Sequence, residues 1–151
     1  MIVRDLMTMD VVSVSPEEKI GQVASILTKK RIHGVPVVDG ENKLIGIITE
    51  TDFFIKDCFN FHLPSYIDFI KNTKFSGSLG YIEKQKIKKL VKAVAKDIMS
   101  TRCITVSPED NVDKLLALIK ENDLHTIPVV DSSGKVEGVI ARSDLIRIIT
   151  A

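Results

Sequence analysis

A chain of 151 residues, 44% hydrophobic and 27% charged, is long enough for one ordinary globular domain or two small ones sharing a core. A formal charge of +1 argues against a nucleic-acid-binding footprint, and no apolar run approaches the roughly 18 residues of a membrane span. Two cysteines in unrelated contexts, Cys58 and Cys103, make no disulfide framework or zinc spacing, and residues 1–10 are too short and charged for a secretion signal, so a cytoplasmic protein is expected.

The first predicted element is a β-branched strand over Val11–Val14. Ser15-Pro16-Glu17-Glu18 then reads as a helix start: a capping serine, a proline in the first turn and an acid three residues on. Apolar residues at 20, 23, 24 and 27 give that helix one buried stripe. Val35–Val38 is a second strand, Asp39–Asn42 a turn and Leu44–Ile48 a third strand, with a second helix starting near Thr49–Asp52. Residues 56–94 exceed what a plain connection needs. Within them Leu63-Pro64-Ser65-Tyr66 opens a helix running through Ile70, and residues 76–80 form a flexible turn. Ile87, Leu90, Val91 and Val94 then make an apolar stripe opposite lysines 84, 86, 88, 89 and 92. That lysine face reads as solvated, with a dimer contact, a docking surface or a weak nucleic-acid patch as alternatives. Clustered Phe59, Phe61, Tyr66 and Phe69 are candidates to cover an apolar interface.

The rest of the chain repeats the beginning. A shift of 92 residues superposes residues 4–55 on 96–147 without a gap, with 15 of 52 positions identical and a further 11 exchanging one aliphatic for another. Cys103–Val106, Ser107-Pro108-Glu109-Asp110 and the stripe at 112, 115, 116 and 119 repeat the strand, helix start and stripe of the first copy. The sequence therefore divides into repeat 1 (1–57), an inserted helical linker (58–94) and repeat 2 (95–151). A unit of about 50 residues buries too little surface to stand alone. Two β-α-β-β-α copies should pack together as an α+β pair about a pseudo-twofold axis, leaving a cleft lined by equivalent residues.

The motifs Asp-Leu-Met-Thr at 5–8, Val-Ser-Pro-Glu at 14–17, His-Gly-Val-Pro-Val-Val-Asp at 33–39 and Gly-Ile-Ile-Thr-Glu-Thr-Asp at 46–52 recur at 97–100, 106–109, 125–131 and 138–144. As a set they resemble the cystathionine-β-synthase (CBS) domain, which occurs in pairs as a regulatory module; the resemblance covers roughly 110 residues and leaves out the middle. It implies an adenosine-type ligand: AMP, ADP or ATP, with S-adenosylmethionine or another adenosyl compound as alternatives. It also implies a homodimer and a regulated partner protein. No nucleophile–base pair or paired acids emerge, and no carboxylate lies at suitable helical spacing from His33 or His125, so no enzyme activity, required cofactor or metal is expected. Thr49 and Asp52 place a hydroxyl and a carboxylate at a helix start, where a ribose diol and a phosphate would find partners, although Thr-x-x-Asp is also a plain N-capping pattern. Asp144 lacks that capping partner, since Ala141 replaces Thr49, which favours a ligand role for the acid; Ser143 is an alternative cap. On the family pattern, Thr49, Thr51 and Asp52 work with Cys103, Ile104, His125 and Pro128. Ser143 and Asp144 work with Val11, Val12, His33, Gly34 and Pro36.

His33 and His125 occupy one slot of the repeat and read either as half-exposed loop residues or as phosphate contacts on the central axis, with Arg142 beside Asp144. The cleft carrying Thr49 is expected to be the tighter, with Arg142 offsetting the difference for charged ligands. Phe53, Phe54, Ile55, Leu145, Ile146 and Ile148 begin the helices expected to form the dimer contact. A structural dimerisation module with a vestigial ligand site is the alternative function.

Overall fold

The computed structural model describes residues 1–54 and 92–150. The helices, turn and aromatic cluster expected over residues 58–91 lie outside the described residues. Elements follow in the order α1 (Val3–Leu6), α2 (Ile20–Lys30), β1 (Gly34–Val38), β2 (Leu44–Thr49) and α3 (Glu50–Phe54), then α4 (Ala95–Ile98), α5 (Val112–Asn122), β3 (Thr126–Val130), β4 (Val136–Ala141) and α6 (Arg142–Thr150). The β-branched runs form two antiparallel hairpins, β1–β2 and β3–β4, each with an irregularity at the same repeat position, Val37/Val38 and Val129/Val130. Their turns meet: the Leu44 amide donates to the Gly134 carbonyl at 3.0 Å and the Val136 amide to the Asn42 carbonyl at 3.0 Å. Lys43 and Lys135 face each other in that contact, as two equivalent residues on a pseudo-twofold axis must.

Two details differ from the sequence reading. The strands expected at Val11–Val14 and Cys103–Val106 reduce to single parallel bridges, Val14 with Val37 and Val106 with Val129. The helices start later than Ser15 and Ser107, with Lys19 and Asn111 as their caps. The reason lies across the molecule. Carbonyls of the Ser-Pro-Glu turns serve as docking acceptors: Pro16 and Glu18 accept from Lys96 and Ala95, while Pro108 and Asp110 accept from Arg4 and Val3. Committed to those partners, they cannot open a helix.

This docking exchanges the copies. Residues ahead of and within α1 pack on the second hairpin, and those of α4 pack on the first. Val3, Leu6 and Met7 belong to one buried core with Val106, Leu115, Ile127, Val129 and Ile140. Ala95 belongs to the other with Ile20, Val23, Val35, Val37, Ile48 and Phe53. The two exchanged methionines lie against glycines: a Cβ at Gly46 would sit 2.5 Å from Met99 Sδ, and one at Gly138 2.8 Å from Met7 Sδ. The α2 stripe is buried as expected at Ile20, Val23, Ala24 and Leu27, but Leu116, at the edge of the α5 stripe, remains 42% exposed where the smaller Ala24 is covered. Phe53 is 1% exposed within the first core; Ile146 is 62% exposed, and Leu145 and Ile148 pack against the second core. The Phe54 side chain and Ile55 lie outside the described residues.

Candidate functional site

The exchange also builds the cleft. After α4, Ser100 pairs antiparallel with Ile47, donating to and accepting from it at 2.9 and 3.0 Å. That pairing carries Arg102, Cys103 and Ile104 of the second repeat alongside the end of β2, where Thr49 begins the turn into α3. From the opposite side, β3 brings its own start to the start of β1: a Cβ on Gly34 would lie 3.5 Å from Thr126 Cβ. His33 and His125, one residue earlier, face each other with ring centroids 5.9 Å apart. Both histidines are exposed and both reach the pseudo-axis.

A cavity of about 230 Å³ opens between these elements, lined by Ile47, Thr49, Glu50, Thr51, Arg102, Ile104, Asp123, Leu124, Thr126 and the two histidines. Of the expected group, Thr49, Thr51, Ile104 and His125 are among the lining. Cys103 instead lines a second cavity, of about 270 Å³, with Thr101, Thr105, Leu44, Ile45, Val130 and Gly134. Its thiol donates to the Ser100 carbonyl at 3.6 Å, and burial pushes its pKa up. Pro36 and Pro128 are buried within β1 and β3, and their carbonyls accept from Val14 and Val106 at 3.0 and 3.2 Å. Gly34 is buried beside Thr49, while Val11 and Val12 are half-buried and Ser143 is exposed.

Both acids of the repeat close their own helix start. Asp52 Oδ2 accepts from the Thr49 amide at 2.8 Å, and Asp144 Oδ2 accepts from the Ala141 amide at 2.7 Å. The bond goes to the backbone and needs no hydroxyl at the cap, so the loss of threonine at Ala141 does not by itself argue for a ligand role of Asp144. The remaining oxygens differ. Asp52 Oδ1 accepts from Ser100 Oγ at 3.1 Å and Asp52 stays half-buried; Asp144 Oδ1 lies 3.5 Å from Arg147 Nη2, and Asp144 is 6% exposed.

Arg142 points away from Asp144. Its guanidinium donates to the Leu124 carbonyl at 2.6 Å and to Asp123 Oδ1 at 2.5 Å. That hydrogen bond, with the attraction of the charge, holds the Asp123 carboxyl below its ordinary pKa. His33 Nδ1 lies 3.4 Å from Glu50 Oε1. Arg102, Glu50, Asp123 and Ser100 were not singled out from sequence. The available signal was charge: under the 92-residue shift Arg102 falls on Asp10, Glu50 on Arg142 and Asp123 on Arg31, three inversions of sign within the repeat.

Among the described residues no cluster of His, Cys, Asp and Glu is placed to hold a metal ion, and no helix is long and apolar enough to cross a membrane. The chain is 29% identical to the protein MJ1426 of Methanocaldococcus jannaschii over 97% of its own length and 90% of that protein's. It spans between 21% and 46% of several longer relatives. The crystal structure of CBSX2 of Arabidopsis thaliana in complex with AMP superposes with a TM-score of 0.72, at 24% identity, covering 99% of this chain and 96% of that one. The CBS domain pair of MJ0100, in complex with 5'-methylthioadenosine and S-adenosyl-L-methionine, does so with a TM-score of 0.69, at 23% identity, covering 99% and 96%. The model of the CBS domain matches twice, over residues 3–56 and 95–151, the two halves that the exchanged helices lock together; the chain belongs to the CBS domain family and carries the domain as a tandem pair.

Proposed function

We propose that this chain is a regulatory module that holds an adenosine-containing ligand in the cleft and passes the resulting change of shape to a partner protein. The observation that carries this reading is convergence at one cavity: Thr49 and Thr51 from one repeat line it together with Ile104 and His125 from the other. Asp52 stands beside the same turn, half-buried, with both oxygens acting as acceptors. An acceptor pair, two hydroxyls and an aliphatic wall suit a ribose, a phosphate or carboxylate, and a base, respectively. The AMP held by CBSX2 and the adenosyl compounds held by the MJ0100 pair support the class of ligand. AMP, ADP, ATP and S-adenosylmethionine are the compounds to test. The same reading has the modules pair through α6, whose Ile146 is exposed.

Calorimetric titration of AMP into wild type and Asp52→Asn tests the site. Asparagine keeps an acceptor for the Thr49 amide and so preserves the helix start, but loses the charged acceptor for ribose hydroxyls. Binding should weaken by about 1.5–3 kcal/mol. Equal affinity in the two proteins removes this cleft from consideration.

A further inference from the structure

The two clefts of a repeat pair are interchangeable only if their charged groups are. Four positions invert in charge across the repeat, and three of them reach the cleft: Glu50 with Arg142, Arg102 with Asp10, and Asp123 with Arg31. The cleft bearing Thr49 and Thr51 is therefore lined by Glu50, Arg102 and Asp123, whereas the equivalent places in the other are held by Arg142, Asp10 and Arg31. Within the described cleft these charges are not equally engaged. Asp123 is held by Arg142 at 2.5 Å, and the Glu50 carboxylate lies 3.4 Å from His33. Arg102 has no side-chain hydrogen-bond or ion-pair partner among the described residues, yet it lines the cavity with Thr49 and Thr51. A guanidinium in a cavity shared with two threonines, whose lining carboxylates are already engaged, is matched to a phosphate oxygen.

We infer that Arg102 is the residue that makes the Thr49 cleft select a phosphate-bearing ligand over the uncharged nucleoside. The inference rests on the adenosine-ligand reading above and adds to it the charge of the ligand. Arg102 reaches this position through its neighbour Ser100, whose pairing with Ile47 fixes the strand segment that carries it. The pseudo-symmetric segment presents Asp10 instead, while Arg31 and Arg142 stand at the places of Asp123 and Glu50, so Arg102 itself has no counterpart in the second cleft. The offset expected from Arg142 is reduced, since its guanidinium is occupied by the Leu124 carbonyl and Asp123.

The test is calorimetric titration of adenosine and of AMP into wild type, Arg102→Gln and Asp10→Gln, reading the ratio of the two affinities. Arg102→Gln should lower the AMP-to-adenosine ratio about five- to thirtyfold, and Asp10→Gln should not lower it. If Arg102→Gln leaves the ratio at its wild-type value while both compounds bind, the assignment to Arg102 is wrong and the adenosine-ligand reading stands. An equal loss for both compounds also overturns it, since the arginine would then hold the cleft's shape and not the phosphate. Wild type that binds neither compound overturns both readings.

Discussion

Gly46 and Gly138 occupy the same place in the two repeats, and a methionine sulfur lies against each. The space is closed: at Gly46 a Cβ would stand 2.5 Å from Met99 Sδ and 2.9 Å from its Cγ. Gly46→Ala should therefore destabilise the protein by about 1–3 kcal/mol, the usual range for overpacking. Because the offending atoms belong to one flexible side chain, most of that loss should vanish in a Met99→Ala background, giving a large coupling energy in a urea-denaturation double-mutant cycle. Additive effects would show that the glycine is required for its backbone alone. Both residues stood out in the sequence as identities of the repeat, but their pairing did not. Met99 is 53 positions from Gly46 and belongs to the other copy, so periodicity within a copy could not join them. The same blindness affected Asp52 and Asp144. Their spacing from the helix start was legible, but the use of one carboxylate oxygen by the backbone was apparent only once the turn was built.

The hairpin turns are the elements where titration should reach the fold. Asp39 Oδ1 accepts from the Lys43 and Glu41 amides at 3.0 and 2.9 Å. Asp131 Oδ1 accepts from the Ser133 hydroxyl at 2.7 Å and from the Lys135 and Ser133 amides at 3.0 and 2.8 Å. For Asp39 the Lys43 amide is the leading cause of a depressed pKa, and for Asp131 it is the Ser133 hydroxyl. A folded-state pKa below the unfolded value means stability that is present above the unfolded pKa and lost as pH falls through the folded one. Thermal melts should therefore fall in temperature as pH drops below about 4, and Asp39→Asn with Asp131→Asn should flatten that dependence. An unchanged slope would show that the turns do not sense pH. Strands β1–β4 and the buried stripe of α2 were readable because β-branched runs between turns and 3.6-residue spacing are local signals. The first strand and the true helix starts were not, since both depend on the docked α1 and α4 segments.

At the scale of the molecule, neither sequence repeat holds a complete core: the first lends Val3, Leu6 and Met7 to the second hairpin, and receives Ala95 with the packing of Ile98 and Met99 in return. Residues 1–91 and 92–151 expressed apart should each lack a cooperative urea transition, and mixing them should restore one, followed by circular dichroism. Two transitions from isolated halves would mean that each copy is self-sufficient. The short stretch between Ala95 and Val106 gives this exchange a further meaning. One end is anchored in the first core and the other in the second, with Arg102 and Ile104 on the cleft wall between them. It is a tendon crossing a joint. On the function proposed above, a ligand that grips its middle would load both anchors at once, and the relative angle of the two halves would be what a partner protein reads.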